Sequence, residues 1–368
     1  MLLGSWTCGS YIVPRVSVTL ESRHQTDRAA TISVRHLFKD FSVGGGFFSG
    51  SRSKIISAVA DVSFDVTRGT TLGLVGESGC GKSTTARCVL RLMEPTSGQV
   101  IYRKFNDGSE EGKEIDVLGA SNAELRALRA DIQIVFQDPV ASFNPRMTVG
   151  SAVAEQLLVN SVMTRSQRDE RVRELLNLVG LEASHAQRYP HEFSGGQRQR
   201  IGVARALALH PSFVICDEPV SSLDVSIQAQ VLNLLAELQD KFDLTYLFIS
   251  HDLAVVRQVC DEIAVMYLGK IVELSSVHQL FAEPMHPYSH ALLSAAPTTD
   301  LRRQRQRTRI LLEGDVPSPI DPPPGCRFQT RCSIGRNEDI CREVEPPLAS
   351  VDPGHFVACH FPETRVVI

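Results

Sequence analysis

The sequence Gly76-Glu77-Ser78-Gly79-Cys80-Gly81-Lys82-Ser83 directly follows an apolar run from Thr71 to Val75. An apolar run, a glycine-rich turn and then a periodic segment from Thr84 to Met93 predict a buried strand, a phosphate-binding loop and a helix. Glycines let successive backbone N–H groups converge on phosphate oxygens, Lys82 adds a charge for the β- and γ-phosphates, and Ser83 offers a hydroxyl to Mg²⁺. The segment from Gly76 to Thr84 therefore predicts ATP or GTP binding. A chance glycine-rich turn would not be expected to match at all of these spaced positions.

Four further signals follow in a fixed order along the chain. They are Gln137 after the strand-like run Ile132 to Phe136, Ser194-Gly195-Gly196-Gln197 at the start of a helix through Leu209, Asp217-Glu218 after the apolar run from Phe213, and His251 after the apolar run Leu244 to Ser250. The segment from Ser194 to Gln197 is a second phosphate-binding helix start, and two such starts imply two half-sites. In this arrangement the chain resembles the nucleotide-binding subunits of ATP-binding-cassette (ABC) transporters, from about Thr31 onward.

The side chains in these motifs have matching chemistry. Asp217, at the end of a buried strand, is suited to hold Mg²⁺ together with Ser83. Glu218 would polarise the attacking water as a general base, the alternative being a solvated carboxylate. Gln137 has an amide that would reach both the metal and the water; otherwise it is a plain loop residue. His251 resembles the switch histidine that contacts the γ-phosphate, and otherwise it would cap a helix or face solvent.

The resemblance implies a site shared between two subunits. The segment Ser194 to Gln197 of one subunit would close over the γ-phosphate bound by another, and the loop from Ser221 to Asp224 would cross that interface with Asp224 as its acidic end. An aromatic ring that stacks on adenine is expected from the first strand. Phe41 is the first choice and Phe38 the second, although core packing would explain both rings equally well.

Composition is typical of an enzyme subunit with a large core. The chain has 368 residues, of which 43% are hydrophobic, and its formal net charge is −4, which argues against non-specific nucleic-acid binding. No apolar run reaches the roughly 18–20 residues that span a bilayer. The first twenty residues lack a basic start and are broken by Gly4, Gly9 and Pro14. Residues 1–30 are therefore expected to be a disordered extension, or the product of a mis-set start codon, and not a secretion signal.

The pattern along the chain predicts an α/β fold: a P-loop NTPase cassette with a RecA-like core, a helical subdomain and a small cysteine-containing extension. Its ABC ATPase domain is expected over residues 31–285, with a helical subdomain at about 141–210 in which Ser166 caps a helix. Strand and helix alternate again from Phe213 to Ser275. The polar stretch from Lys104 to Glu114 is expected to be a surface loop, and the basic stretch from Leu301 to Arg309 an exposed linker. A C-terminal domain is predicted over residues 286–368.

The C-terminal region from residue 286 to 368, called the tail below, resembles a smaller group within this family. It contains His286-Pro287-Tyr288 at the start of a short helix and the proline-rich segment from Pro317 to Phe328. Together with the sequences around Gln137, Asn144 to Gly150 and Glu218, these resemble the ATPase subunits of dipeptide and oligopeptide importers. The Gly-rich opening with Phe47-Phe48 and the segment Arg91 to Gly98 resemble the second, F-type, of the two ATPases that such importers carry.

Four of the nine cysteines cluster in the tail: Cys326, Cys332, Cys341 and Cys359. Four thiolates would bind zinc or an iron–sulfur cluster, and either would fix a small module that has little else to hold it. The resemblance to peptide importers implies a [4Fe–4S] cluster, while His355 and His360 keep zinc open and irregular spacing keeps four free or crosslinking thiols open. Cys80 lies inside the P-loop, where thiol reagents are expected to block ATP binding.

The resemblance implies an ATPase at the cytoplasmic face of the membrane that powers peptide import with ATP and Mg²⁺. Its implied partners are a second, different ATPase subunit, two transmembrane permeases and an extracytoplasmic peptide-binding protein. Nickel, glutathione or another small solute is an alternative cargo. A soluble enzyme complex such as phosphonate carbon–phosphorus lyase is a second alternative, and a soluble cassette protein acting on ribosomes or DNA is a third. Such a ribosome or DNA protein usually has two cassettes or a long coiled coil, and the sequence has neither.

Overall fold

The structure is a computed structural model that describes residues 29–43, 54–105, 112–138, 142–161, 163–296 and 310–365. The expected extension at residues 1–30 lies outside this part of the chain except for its last two residues. Phe47, Phe48 and the expected linker at 301–309 lie wholly outside it. Among the described residues, no helix is both long and apolar enough to cross a lipid bilayer.

Two sheets organise the molecule. The strands are β1 Ala30–Val43, β2 Lys54–Thr67, β3 Thr71–Val75, β4 Ser97–Phe105, β5 Gly112–Asp116, β6 Ile132–Val135, β7 Phe213–Asp217, β8 Thr245–Ser250, β9 Glu262–Tyr267, β10 Lys270–Ser276, β11 Ala349–Asp352 and β12 His355–Val357. The first sheet has the order β2-β1-β4-β5 and is antiparallel. The second has the order β11-β12-β10-β9-β3-β8-β7-β6, with a parallel centre from β9 to β6. The predicted parallel sheet is thus confirmed, and an antiparallel edge extends it.

Helices cover the second sheet. They are α1 Lys82–Val89, α2 Asn122–Asp131, α3 Val149–Asn160, α4 Arg165–Leu178, α5 Gly195–Ala206, α6 Val225–Phe242, α7 Leu253–Val259, α8 Val277–Ala282, α9 Pro287–Ala295 and α10 Asp339–Glu343. Alternating residues of its strands enter two different cores. Leu72, Leu74 and Ile215 face the first sheet and α1, whereas Val75, Val214 and Phe248 face the other core, which includes α3 to α6. Period-two alternation therefore separates the two layers.

Capping explains where the helices of the predicted helical subdomain begin. The expected cap Ser166 lies within α4, and the prediction was wrong by two residues. Thr164 caps this helix in a capping box with Gln167, whose side chain accepts the Thr164 N–H at 2.8 Å. The apolar face from Val172 to Val179 is buried as predicted, and Gly180 follows with φ +73°.

The polar stretch from Lys104 to Glu114 also differs from its prediction as a surface loop. Its two described ends belong to β4 and β5, which pair through Lys104 and Lys113, so they form an antiparallel pair of strands. Residues 106–111 lie outside the described residues.

The tail continues the second sheet. β12 pairs with β10 through Val357–Glu273 and Phe356–Leu274, so residues beyond the proposed boundary at 285/286 complete a sheet that begins before it. The buried carboxylate of Glu273 strengthens this junction, because it accepts hydrogen bonds from the Met285 and His286 N–H groups and from His355 Nε2 at 2.7–3.0 Å. The domain boundary itself stays a prediction.

Candidate functional site

The P-loop lies between β3 and α1, as predicted. Gly76, Gly79 and Gly81 have φ values of +156°, +81° and +109°. At Gly76 and Gly81 a Cβ would stand 2.1 Å from the Met266 carbonyl oxygen and 2.2 Å from the Ala58 carbonyl oxygen. Only glycine therefore lets the loop turn this closely against the backbone of neighbouring strands.

Lys82 is folded back onto this loop. Its side chain is buried, and its Nζ donates to the carbonyl oxygens of Gly76 at 2.8 Å and Glu77 at 2.9 Å. The ammonium group thus occupies the loop's own acceptors, and the predicted contact with phosphate oxygens would require it to leave them.

Cys80 is less accessible than its place in the loop suggested. The residue is 4% exposed, and burial raises the pKa of its thiol even though Lys82 acts in the opposite direction. Because the thiolate is the reactive form, slow reaction with thiol reagents is expected.

Two of the three predicted magnesium ligands, Ser83 and Asp217, are brought together across 134 residues of sequence, whereas Gln137 contacts Glu218. Ser83 Oγ donates to Asp217 Oδ1 at 2.8 Å. Asp217 ends β7 and is 4% exposed, and burial raises the pKa of its carboxyl while the Ser83 hydroxyl opposes that effect. A hydroxyl at the start of a helix and a buried carboxylate at the end of a strand are a donor set suited to Mg²⁺.

Glu218 is the centre of a second cluster. Gln137 Nε2 donates to Glu218 Oε2 at 3.0 Å, and His251 Nδ1 lies 3.2 Å from the same oxygen. Glu218 itself has φ +46°, a conformation that costs a non-glycine residue about 1–3 kcal/mol. Its N–H donates to the Ile249 carbonyl of β8, which fixes this strained turn at the carboxyl end of the sheet.

The second glycine-rich segment begins α5 as predicted. Ser194 is the N-cap, and Gln197 Oε1 accepts the Ser194 N–H at 3.1 Å in a capping box. A Cβ on Gly196 would stand 2.2 Å from Ile227 Cγ2, so glycine is needed for α5 to approach α6. Ser194 and Gly195 are exposed beside the Ser221 to Asp224 loop, which places both predicted interface elements on one surface.

The structure does not choose between the two adenine-stacking candidates. Phe41 and Phe38 are both half-buried on β1, and Lys39 Nζ stands 5.0 Å from the centre of the Phe41 ring. Neither ring belongs to the fully buried core, so a free face of Phe41 for adenine stays a prediction.

All four tail cysteines line one narrow pocket, together with Phe328, Gly335 and His360. Burial raises the pKa of Cys326 to about 12 and that of Cys359 to about 11. The Gly335 N–H donates to Cys332 Sγ at 3.1 Å, and the Phe361 N–H to Cys359 Sγ at 3.4 Å. Within the described residues, no three His, Cys, Asp or Glu side chains are arranged to hold a single metal ion.

Sequence reasoning missed two residues that touch the P-loop. The Tyr288 hydroxyl accepts the Glu77 N–H at 2.9 Å, and Arg331 donates to the Glu77 carboxylate at 2.9 and 3.3 Å. The sequence singled out His286-Pro287-Tyr288 without giving it a role. No sequence signal marks Arg331, which is 254 residues from its partner.

Comparison with known proteins agrees with this geometry. One family model, described as ABC transporter, matches residues 59–221, and another, described as Oligopeptide/dipeptide transporter, C-terminal region, matches residues 272–341. The oligopeptide transport ATP-binding protein AppF of Bacillus subtilis (strain 168) is 51% identical over 330 residues, which cover 89% of this chain and 96% of AppF. A putative peptide import ATP-binding protein of Brucella ovis is 50% identical over 328 residues, with coverage of 89% and 96%.

Solved structures share the cassette fold. The ATP-binding cassette MJ0796, a dimer in a post-hydrolysis state bound to ADP and Pi, aligns with a TM-score of 0.56 and 27% identity over 67% of this chain and 98% of that one. The cassette cbiO1 of Clostridium perfringens, part of the complex cbiONQ, aligns with a TM-score of 0.55 and 24% identity over 68% and 90% of the two chains, and shows the fold alone. Because AppF is 51% identical over 89% of this chain, the chain belongs to the family of ATP-binding subunits of oligopeptide and dipeptide ABC transporters and is an ATPase with the ABC cassette fold.

Proposed function

We propose that this chain powers the import of peptides from the cytoplasmic face of the membrane, where two permease subunits hold it. The observation that carries the proposal is the combination of an ABC cassette at residues 59–221 with an oligopeptide/dipeptide C-terminal region at 272–341. The relatives named for oligopeptide transport and peptide import support the same cargo. A second, related ATPase and an extracytoplasmic peptide-binding protein complete the proposed complex.

For ATP hydrolysis, the P-loop N–H groups and Lys82 would bind the phosphates, and Ser83 and Asp217 would hold Mg²⁺. When bound, Mg²⁺ neutralises the charge that develops on the phosphate oxygens. Glu218 acts as the general base: it takes a proton from a water whose oxygen attacks the γ-phosphorus, and the bond to ADP breaks. Gln137 and His251 contact the Glu218 carboxylate, and in this proposal they turn towards the water and the γ-phosphate when ATP binds.

The complete site needs a second cassette. Ser194 and Gly195 are exposed at a helix N-terminus, beside the loop that ends in Asp224, so they are free to close on the nucleotide of the partner. The dimeric state of the similar cassette MJ0796, bound to ADP and Pi, supports this arrangement. ATP would favour the closed pair and hydrolysis the open one. The segment from Gln137 to Arg146, whose described part is largely exposed, would transmit the change to the permeases.

For the tail, we propose that Cys326, Cys332, Cys341 and Cys359 hold a [4Fe–4S] cluster that crosslinks the module. Their shared pocket and the N–H groups that donate to Cys332 and Cys359 sulfurs suit such a cluster. Of the two histidines that would favour zinc, His360 lines the pocket, whereas His355 is bound to Glu273.

Uptake tests the transport proposal. Cells that carry the native chain or Glu218→Gln are given labelled di-, tri- and pentapeptides, with nickel as a second cargo. Glu174→Gln on α4, an exposed carboxylate that pairs with Arg171, is the matched control. Loss of peptide uptake in Glu218→Gln alone supports peptide import and gives the size preference. Loss of nickel uptake alone would show that nickel, and not peptide, is the transported solute. Normal uptake of every solute would favour a soluble enzyme complex.

Metal analysis tests the tail proposal. Cys332→Ser should lower the iron content of anaerobically purified protein, whereas Cys88→Ser, a buried cysteine outside the pocket, should retain it. Zinc in place of iron in the native protein would support the alternative metal. Equal iron content in the native and Cys332→Ser proteins would contradict the ligand assignment.

A further inference from the structure

Glu77, the second residue of the P-loop, is held from the tail through two of its groups. Its N–H donates to the Tyr288 hydroxyl at 2.9 Å, and its carboxylate accepts two hydrogen bonds from Arg331 at 2.9 and 3.3 Å. Its remaining backbone group, the carbonyl oxygen, accepts from Lys82 Nζ. Because the N–H points at Tyr288, Glu77 shapes the loop and does not offer that N–H to a phosphate.

Both tail residues are buried where they meet Glu77. Tyr288 is fully buried, and the Arg331 side chain is 8% exposed against 29% for Glu77. An ion pair that has two hydrogen bonds and is largely shielded from water is stronger than a surface pair. Removing one partner leaves the other charge buried without compensation.

An aromatic cluster lies between this contact and the cysteine pocket and packs against both. The Tyr288 ring packs on Tyr267 and Phe328 at centroid distances of 4.7 and 5.4 Å, and Phe328 also packs edge-on against Tyr267 at 5.2 Å. Phe328 lines the pocket, and Arg331 directly precedes Cys332. The cysteine segment and the P-loop are therefore joined by a continuous set of packed side chains.

Lys82 gives these contacts a role in binding. Its ammonium group now holds the Gly76 and Glu77 carbonyl oxygens, and it must leave them to reach the β- and γ-phosphates. Once it leaves, Tyr288 and Arg331 still fix the position of Glu77.

We propose that Tyr288 and Arg331 are positioning residues for ATP binding: they hold Glu77, and with it the first turn of the P-loop, in its phosphate-binding shape while Lys82 moves to the nucleotide. Neither residue needs to touch ATP. By linkage, ATP binding stabilises the packing of the tail to the same degree. These roles of Tyr288 and Arg331 concern the ATP site and do not depend on which solute is transported.

The test uses two variants of the full-length chain. Tyr288→Phe removes one hydroxyl, and Arg331→Gln removes the charge of the pair. Titration with a fluorescent ATP analogue and Mg²⁺ gives Kd, and ATPase assays of the assembled complex give KM and kcat. Each variant should raise Kd and KM about 3- to 10-fold, the range set by losing one or two hydrogen bonds, with kcat changed less than about twofold. Arg336→Gln, at an exposed ion pair with Glu313 in the same module, should leave all three unchanged.

A double variant tests the pair itself. The double variant Glu77→Gln/Arg331→Gln should bind ATP no more weakly than the weaker-binding of its two single variants, because both changes remove the same ion pair. Thermal unfolding separates positioning from simple stability, and if Arg331→Gln does not fold, Tyr288→Phe decides alone. Unchanged Kd in Tyr288→Phe, measured well below its unfolding temperature, would overturn the inference, and so would a loss confined to kcat. Because Kd is measured without transport, the roles of Tyr288 and Arg331 can still be tested if the cells show no peptide import.

Discussion

Phe328 joins the tail to the cassette, and truncating it should destabilise both together. Phe328 is 2% exposed, and its ring contacts Tyr267, Tyr288 and His286 at centroid distances of 5.2, 5.4 and 5.7 Å. Because β12 also pairs with β10, the tail and the cassette share a sheet as well as this cluster. The change Phe328→Ala is therefore expected to lower the unfolding temperature of one common transition.

The size of the effect follows from burial. A buried Phe→Ala change costs about 3–5 kcal/mol through lost transfer free energy and the cavity left behind. In a chain of 368 residues, about 1 kcal/mol shifts Tm by roughly 1.3 °C, so about 4 kcal/mol corresponds to a fall of about 5 °C. Phe356→Ala, on β12 where the residue is 37% exposed, is the matched control and should lower Tm by clearly less than Phe328→Ala does.

Differential scanning calorimetry of the full-length protein, with and without Mg²⁺ and ATP, measures this shift. ATP should raise the temperature of the same transition that Phe328→Ala lowers. Two separate transitions, with the ATP-sensitive one unmoved by Phe328→Ala, would refute the reasoning, since the tail would then unfold independently of the cassette.

Three further predictions concern other sites. Glu218→Gln should retain ATP binding and lose about 10²–10⁴-fold in turnover in the assembled complex, and normal hydrolysis would rule out its role as general base. Burial acts to raise the pKa of Glu273, but the hydrogen bonds that its carboxylate accepts lower the pKa overall from its ordinary value of 4.5. The stability that Glu273 contributes is therefore complete above about pH 4.5 and is lost as pH falls through the lower pKa of the folded state. Glu273→Gln should therefore cost about 1–3 kcal/mol at pH 7, because buried donors lose an acceptor, and it should weaken the acid dependence of Tm; a Tm–pH curve that is merely displaced in parallel would contradict this. Cys80 should react with iodoacetamide more slowly at pH 7 than it does in urea-unfolded protein, as peptide mass spectrometry would measure; equal rates would show that the thiol is accessible.

Local motifs could be recognised in the sequence because their geometry depends on neighbouring residues. The P-loop needs glycines within one turn, and a helix start such as Ser194 to Gln197 needs a cap and a partner three residues later. Both were therefore placed correctly. The cap of α4 was misplaced because Ser166 and Thr164 are both good capping residues, and the competition was decided by Gln167, whose side chain completes a capping box with Thr164.

The sequence by itself determined the cassette fold, the order of its nucleotide-binding motifs and the cluster of four cysteines. Only the tertiary structure decided that Glu218 adopts a left-handed turn against Ile249, that Cys80 is buried, and that Tyr288 and Arg331 grip Glu77 from more than 200 residues away. The physical reason is that such contacts depend on how strands pair and how buried side chains pack. A pattern within one segment predicts the conformation of that segment, but it does not show which distant segment packs against it.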